Sequence, residues 1–202
     1  WLELSATDDK GRVIFWSGMV EDHGRGPVDP GAHMYRSLSI DEHGNPILKR
    51  NAWAARATVY AHLIPPGAAD TVHFRLHVPK DARGHIHLVA KINYRKFTWL
   101  NTQFAYAGVA HATGPDQMTK DYDDRPMAFN GDTSQVAGKI KAIPNLPIVV
   151  LSTSKVDLAV LPAGSPVPKP QVALEKADWQ RWNDYGIGLF LRPLATAHLV
   201  RL

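Results

Sequence analysis

Ten histidines stand among the 202 residues, and three of them, His77, His85 and His87, fall where a β-hairpin would gather imidazoles on one face. In Thr71 to Val78 the apolar set is Val72, Phe74, Leu76 and Val78, which turns His73, Arg75 and His77 to the other side. In His85 to Tyr94 the apolar set is Ile86, Leu88, Ala90, Ile92 and Tyr94, leaving His85, His87, Val89, Lys91 and Asn93 opposite. Matching the two apolar faces in antiparallel register predicts Val78 across from Ile86 and His77 across from His87, with His85 one pleat away. Directly opposed Cβ atoms lie about 4.5–5.5 Å apart, near enough for two imidazoles to share one copper or zinc ion. The competing reading is a solvated polar face, since Arg75 and Lys91 share it and no carboxylate of the hairpin does.

Other residue types open fewer routes. His33 follows the turn-forming Asp29-Pro-Gly at the entry to a strand, where it either bonds the turn backbone or projects as a ligand. His62 and His111 have no chemically suggestive neighbours and read as structural. A nucleophilic serine has no G-x-S-x-G elbow to seat it, and neither a Walker-type loop nor a dinucleotide fingerprint occurs. Asp121, Asp123, Asp124 and Asp132 supply acids for glycosidase-type chemistry, which needs two carboxylates across a cleft. Tyr94, Arg95, Lys96, Phe97 and Trp99 mix aromatics with cations, a composition that suits either core packing with cation–π edges or a docking surface.

These residues must be positioned by strands. Trp1 to Thr7 and Val13 to Ser17 flank Asp8-Asp-Lys-Gly11 and read as a hairpin; Met34 to Ile40 leads into a second turn at Asp41 to Pro46. Ala57 to Ile64, Thr71 to Val78, His85 to Tyr94 and Ile148 to Leu161 follow, with Gly and Pro at the joints. The expected fold is mainly β, an antiparallel β-sandwich of immunoglobulin-like type over residues 1–161. Residues 108–147 are a long excursion, read either as a functional loop or as an unrecognised strand pair. Residues 162–170 form a proline-rich linker, and residues 171–202 a C-terminal helical segment with its apolar spacing between Ala173 and Leu191.

Composition narrows the partners. The 23 Lys and Arg against 19 Asp and Glu leave a net charge of +4, and the basic residues form no run suited to nucleic acid. The longest apolar stretch, Leu146 to Leu151, contains Pro147 and is far shorter than the roughly 18 residues of a membrane span, so none is expected. The absence of cysteine removes disulfides, thiolate metal sites and C-x-x-C-H haem attachment from these residues. Trp1 in place of Met, at the head of an alternating strand, reads as a processed or incomplete chain.

Several strings, taken in order, are similar to a known family: Trp1-Leu-Glu-Leu, Gly11-Arg-Val-Ile, Asp29-Pro-Gly-Ala-His-Met-Tyr-Arg36, Asn51-Ala-Trp53, Ile64-Pro-Pro-Gly-Ala-Ala-Asp70, Asn93-Tyr-Arg-Lys-Phe97 and Trp182-Asn-Asp-Tyr-Gly-Ile-Gly188. From Trp1 to about Leu191 the chain resembles the β-rich domain that lies between the haem-bearing part and the tetratricopeptide repeats of bacterial multihaem c-type cytochromes. The resemblance implies an exported protein, periplasmic or extracellular, in an electron-transfer system. Haem c would sit in a preceding part or in a cytochrome partner, with none inside this chain, and His33 is the residue that would contact a neighbouring haem. The helix at Trp182 to Leu191 looks like the opening of a first repeat, although Arg192 to His198 does not continue into its partner helix. The resulting expectation is a non-catalytic scaffolding or docking module, with Tyr94 to Trp99 as its interface. The alternatives are a periplasmic copper- or zinc-binding β-protein, and a carbohydrate-active or carbohydrate-binding module.

Overall fold

Alternation at the start of the chain yields β1 (Leu2–Asp8) and β2 (Val13–Ser17), paired antiparallel as expected. The computed structural model describes residues 1–47, 52–110, 127–129, 131–134, 136–162, 164–166 and 179–190. Asp8 builds the first turn: its Oδ1 accepts the amides of Lys10 at 3.0 Å and Arg12 at 2.9 Å, and Gly11 supplies a left-handed φ of +75°. The second expected turn repeats the device. Asp41 Oδ1 accepts the amides of His43 and Asn45, both at 2.8 Å, with Gly44 at φ +83°. Both aspartates are buried, a position a carboxylate tolerates because amide donors replace its water.

The main sheet runs in the order β2-β1-β5-β8, where β5 is His85–Tyr94 and β8 is Val149–Ala159. Between them in sequence come α1 (Glu21–Gly24), a single turn, then β3 (Arg36–Ile40), a 3-10 turn at Ala52–Ala54, and β4 (Ala57–His62). β3 and β4 pair antiparallel as a separate two-stranded sheet. Ladders on both sides of β5 set its register: Leu88 lies between Ala6 and Val156, and His87 between Thr7 and Asp157. One face is therefore apolar, and Ala6, Ala82 and Ile86 form its buried centre, with Phe15, Leu76, Leu88 and Val160 packed around them.

The expected hairpin of Thr71 to Val78 with His85 to Tyr94 is not formed. Both edges of β5 are occupied by β1 and β8, so no edge remains for another strand. Thr71 to Val78 carries no strand and lies against the sheet, with Val72, Phe74 and Leu76 half-buried and His73, Arg75 and His77 exposed. Phe74 meets Phe15 edge-on at 5.9 Å. Alternation identified the buried side of this segment as far as Leu76, whereas Val78 is 51% exposed, and period two specifies a face and not a neighbour. A register shift between Ile92 and Asn93 also reverses the end of β5: Asn93 is buried and Tyr94, expected on the apolar side, is 52% exposed.

The aromatic stretch after β5 forms a helix that alternation did not foretell, α2 (Trp99–Ala107). The excursion contains a strand pair, β6 (Gly108–Ala110) with β7 (Met127–Phe129), which was one of its two readings. His111, Asp121, Asp123 and Asp124 lie outside the described residues, as does most of the proline-rich linker. Asp132 is described, and it accepts the Ser134 amide at 2.9 Å. The C-terminal helix is α3 (Trp179–Phe190). The fold is thus mainly β, with antiparallel sheets and few helices, and among the described residues no helix is long and apolar enough to cross a membrane.

Candidate functional site

The hairpin of β3 and β4 delivers two histidines to its open end. His62 is the last residue of β4 and pairs with Arg36 at the start of β3. His33, three residues before β3, is held to the main sheet because its carbonyl accepts the Leu2 amide at 2.9 Å. After His62 the chain turns at Pro65, whose carbonyl accepts the Ala68 amide at 3.0 Å, with Gly67 at φ +75°. Pro66 ahead of a left-handed Gly67 is suited to that reversal. It returns Asp70 to the two imidazoles.

The contacts converge on one oxygen. Asp70 Oδ2 lies 2.8 Å from His33 Nε2, 3.5 Å from His62 Nε2 and 3.1 Å from the Tyr35 hydroxyl, which donates to it. The His33 and His62 rings stand edge-to-face with centroids 4.7 Å apart, and Tyr35 flanks both at 5.1 and 5.3 Å. Tyr60 closes the far side, 6.1 Å from His62. Side-chain exposure is 26% for His33, 23% for His62 and 11% for Asp70, so the cluster is sheltered but reachable.

Its electrostatics follow from that shelter. Burial alone would raise the Asp70 carboxyl. Hydrogen bonds from His33 and Tyr35, with the charge of the two imidazoles, outweigh burial and hold the group below the ordinary carboxylate value. Burial, seconded by the Asp70 charge, pushes the Tyr35 hydroxyl far up, so it stays protonated and remains a donor. Among the described residues, His33, His62 and Asp70 are the group of three potential metal ligands whose ligand atoms lie within 4.8 Å of one another.

The C-terminal helix backs the same corner. Gly188 of α3 is buried against Asp70 and Thr71, and the Thr71 hydroxyl donates to the Tyr185 carbonyl at 3.4 Å. A Cβ at Gly188 would stand 2.5 Å from Thr71 Oγ1 and 2.8 Å from its amide nitrogen, so the approach depends on glycine.

The histidines singled out in the sequence are distributed otherwise. His85 and His87 lie on the polar face of β5 as expected, whereas His77 is exposed on the segment that does not pair with them, so the anticipated three-histidine set is not assembled. Carboxylates reach His87 instead. Its Nδ1 lies 2.8 Å from Asp157 Oδ1, brought opposite by β8, and its Nε2 lies 2.9 Å from Asp9 Oδ1, brought by the first turn. Asp157 first, then Asp9, raises the His87 imidazole above its ordinary value. Asp9 also accepts the His85 amide at 3.0 Å.

The expected interface residues divide. Tyr94 and Phe97 are 52% and 48% exposed, and the Lys96 ammonium stands 5.5 Å from the Phe97 ring centroid. Arg95 faces inward and ties down the loop around α1, donating to the carbonyls of Gly26 at 2.8 Å and Gly24 at 3.4 Å. Trp99 begins α2. Neither His62 nor Asp70 was singled out by type and spacing. The available signal was the Pro65-Pro-Gly67 reversal between them, which brings residues on its two sides together.

Compared with family models, curated proteins and solved structures, the chain matches none of them.

Proposed function

We propose that this chain is a non-catalytic β-rich module of an exported multihaem cytochrome system, one that packs on a haem-bearing part or partner. One observation carries the reading: four of the strings on which the resemblance rests meet at one corner of the fold. Trp1 to Leu4 supplies the Leu2 pairing with His33; Asp29 to Arg36 supplies His33 and Tyr35; Ile64 to Asp70 supplies Asp70; Trp182 to Gly188 supplies the glycine that abuts it. In this proposal the four-stranded sheet is one layer of an immunoglobulin-like sandwich, and the corner around Asp70 lies toward the haem-bearing part.

The distribution of apolar surface supports a packing role. Among the described residues the buried apolar side chains are few and include four alanines, while Val149, Val150, Leu151, Val156 and Leu158 of β8 are 48–62% exposed. Full burial of such a side chain is worth about 1.5–3 kcal/mol, so each of these half-exposed ones gains about half of that when another surface covers it. Tyr94, opposite Val149 at the end of β5, adds to this surface, and with the exposed Phe97 it forms the docking pair of the proposal. His33 would serve as a neighbour of the haem, its imidazole held 2.8 Å from Asp70 Oδ2.

Intact mass and the visible spectrum of the protein purified from its native source test the proposal. A Soret band on a species much heavier than 22.3 kDa is the expected result. A colourless 22.3 kDa species that retains no cytochrome partner overturns it.

A further inference from the structure

The geometry points to a mononuclear site for a divalent transition-metal ion of the zinc class at His33 Nε2, His62 Nε2 and Asp70 Oδ2. This site lies apart from the histidines of β5 and goes beyond the packing role. Its warrant is the spacing of donor atoms. Around an ion with bonds of about 2.0–2.1 Å, neighbouring ligand atoms lie about 3.0 Å apart in octahedral and 3.4 Å apart in tetrahedral geometry. The two imidazole nitrogens stand 2.8 and 3.5 Å from the shared carboxylate oxygen, bracketing those values.

The donor set is of the right chemistry. Imidazole and carboxylate suit borderline divalent ions, and three protein ligands leave a position for water or for a group from a partner. The Tyr35 hydroxyl donates to the carboxylate from outside the set at 3.1 Å and orients it. Each ligand is held by a different part of the framework: His33 through its carbonyl to Leu2, His62 by the β3–β4 ladder, and Asp70 by the turn below and α3 behind. Donors held this way need little reorganisation to receive an ion.

Titration of the metal-stripped protein with zinc by calorimetry, and with cobalt by visible spectroscopy, tests the assignment. One equivalent should bind, with cobalt showing nitrogen and oxygen coordination. His62→Gln keeps the His33–Asp70 bond and should weaken binding at least tenfold, and Tyr35→Phe about tenfold through loss of the orienting donor. The double variant His85→Ala with His87→Ala should bind as the parent does. Binding that is not saturable, or that survives His62→Gln and Tyr35→Phe unchanged, overturns the assignment. So does binding that disappears with His85 and His87.

Discussion

His33 and Asp70 stand 37 positions apart in sequence and 2.8 Å apart in space, joined imidazole to carboxylate. The Tyr35 hydroxyl donates to the same oxygen, so Asp70 ties the approach to β3 to the turn after β4. Tyr35→Phe removes one donor to a charged acceptor without leaving a hole and should cost about 1–2 kcal/mol. Urea denaturation of the two proteins measures it, and an unchanged midpoint would deny the hydroxyl its role.

Gly188 and Gly186 lie two residues apart in α3 and should answer the same substitution with opposite sign. Gly186→Ala meets nothing within 4 Å and should stabilise the helix by about 0.5–1 kcal/mol through backbone entropy. Gly188→Ala places a methyl group 2.5 Å from Thr71 Oγ1 and 2.9 Å from the Asp70 carbonyl carbon, and should cost about 1–3 kcal/mol or undock the helix. Thermal melts and limited proteolysis within α3 distinguish the two. Equal effects would mean that α3 does not rest on this turn.

His87 should titrate above 6.5, because Asp157 and Asp9 each favour its protonated form. A raised folded-state value means that the stabilisation is complete below 6.5 and is lost as pH rises through the raised value. The group is exposed, so the effect on its own titration will be clearer than the effect on unfolding. NMR titration of the imidazole should show the midpoint falling in Asp157→Asn and in Asp9→Asn; a midpoint at or below 6.5 in the parent protein would sink the bridge.

Glu3 is 8% exposed, and its carboxylate accepts from Asn93 Nδ2 at 2.7 Å, Trp16 Nε1 at 3.2 Å and Lys91 Nζ at 3.4 Å. Glu3→Ala strands the buried Asn93 amide on the polar side of the sheet and should cost about 1–3 kcal/mol. Glu3→Gln keeps an acceptor and should cost less. Equal losses in equilibrium unfolding would show that packing of the side chain, and not its acceptor oxygens, sets the contribution.

Local periodicity and turn chemistry determined much of this protein by themselves. The Asp8 and Asp41 turns, the first hairpin, the two faces of β5 as far as Ile92 and the mainly β character all follow from interactions spanning a few residues. The direction in which His85 and His87 point also follows, because a strand assigns sides from its own alternation. What lies beside a strand is another matter. Thr71 to Val78 offered β5 a face of the right polarity, yet β1 and β8 took both edges, and only the whole chain could settle that competition. The same holds for the site. His62 and Asp70 have ordinary sequence neighbours, and their meaning comes from a hairpin end and a proline-glycine reversal that bring both to one place, with a helix from much later in the chain resting on the backbone of Asp70 and Thr71. Side-chain convergence of that kind depends on distances between elements, which sequence spacing does not encode.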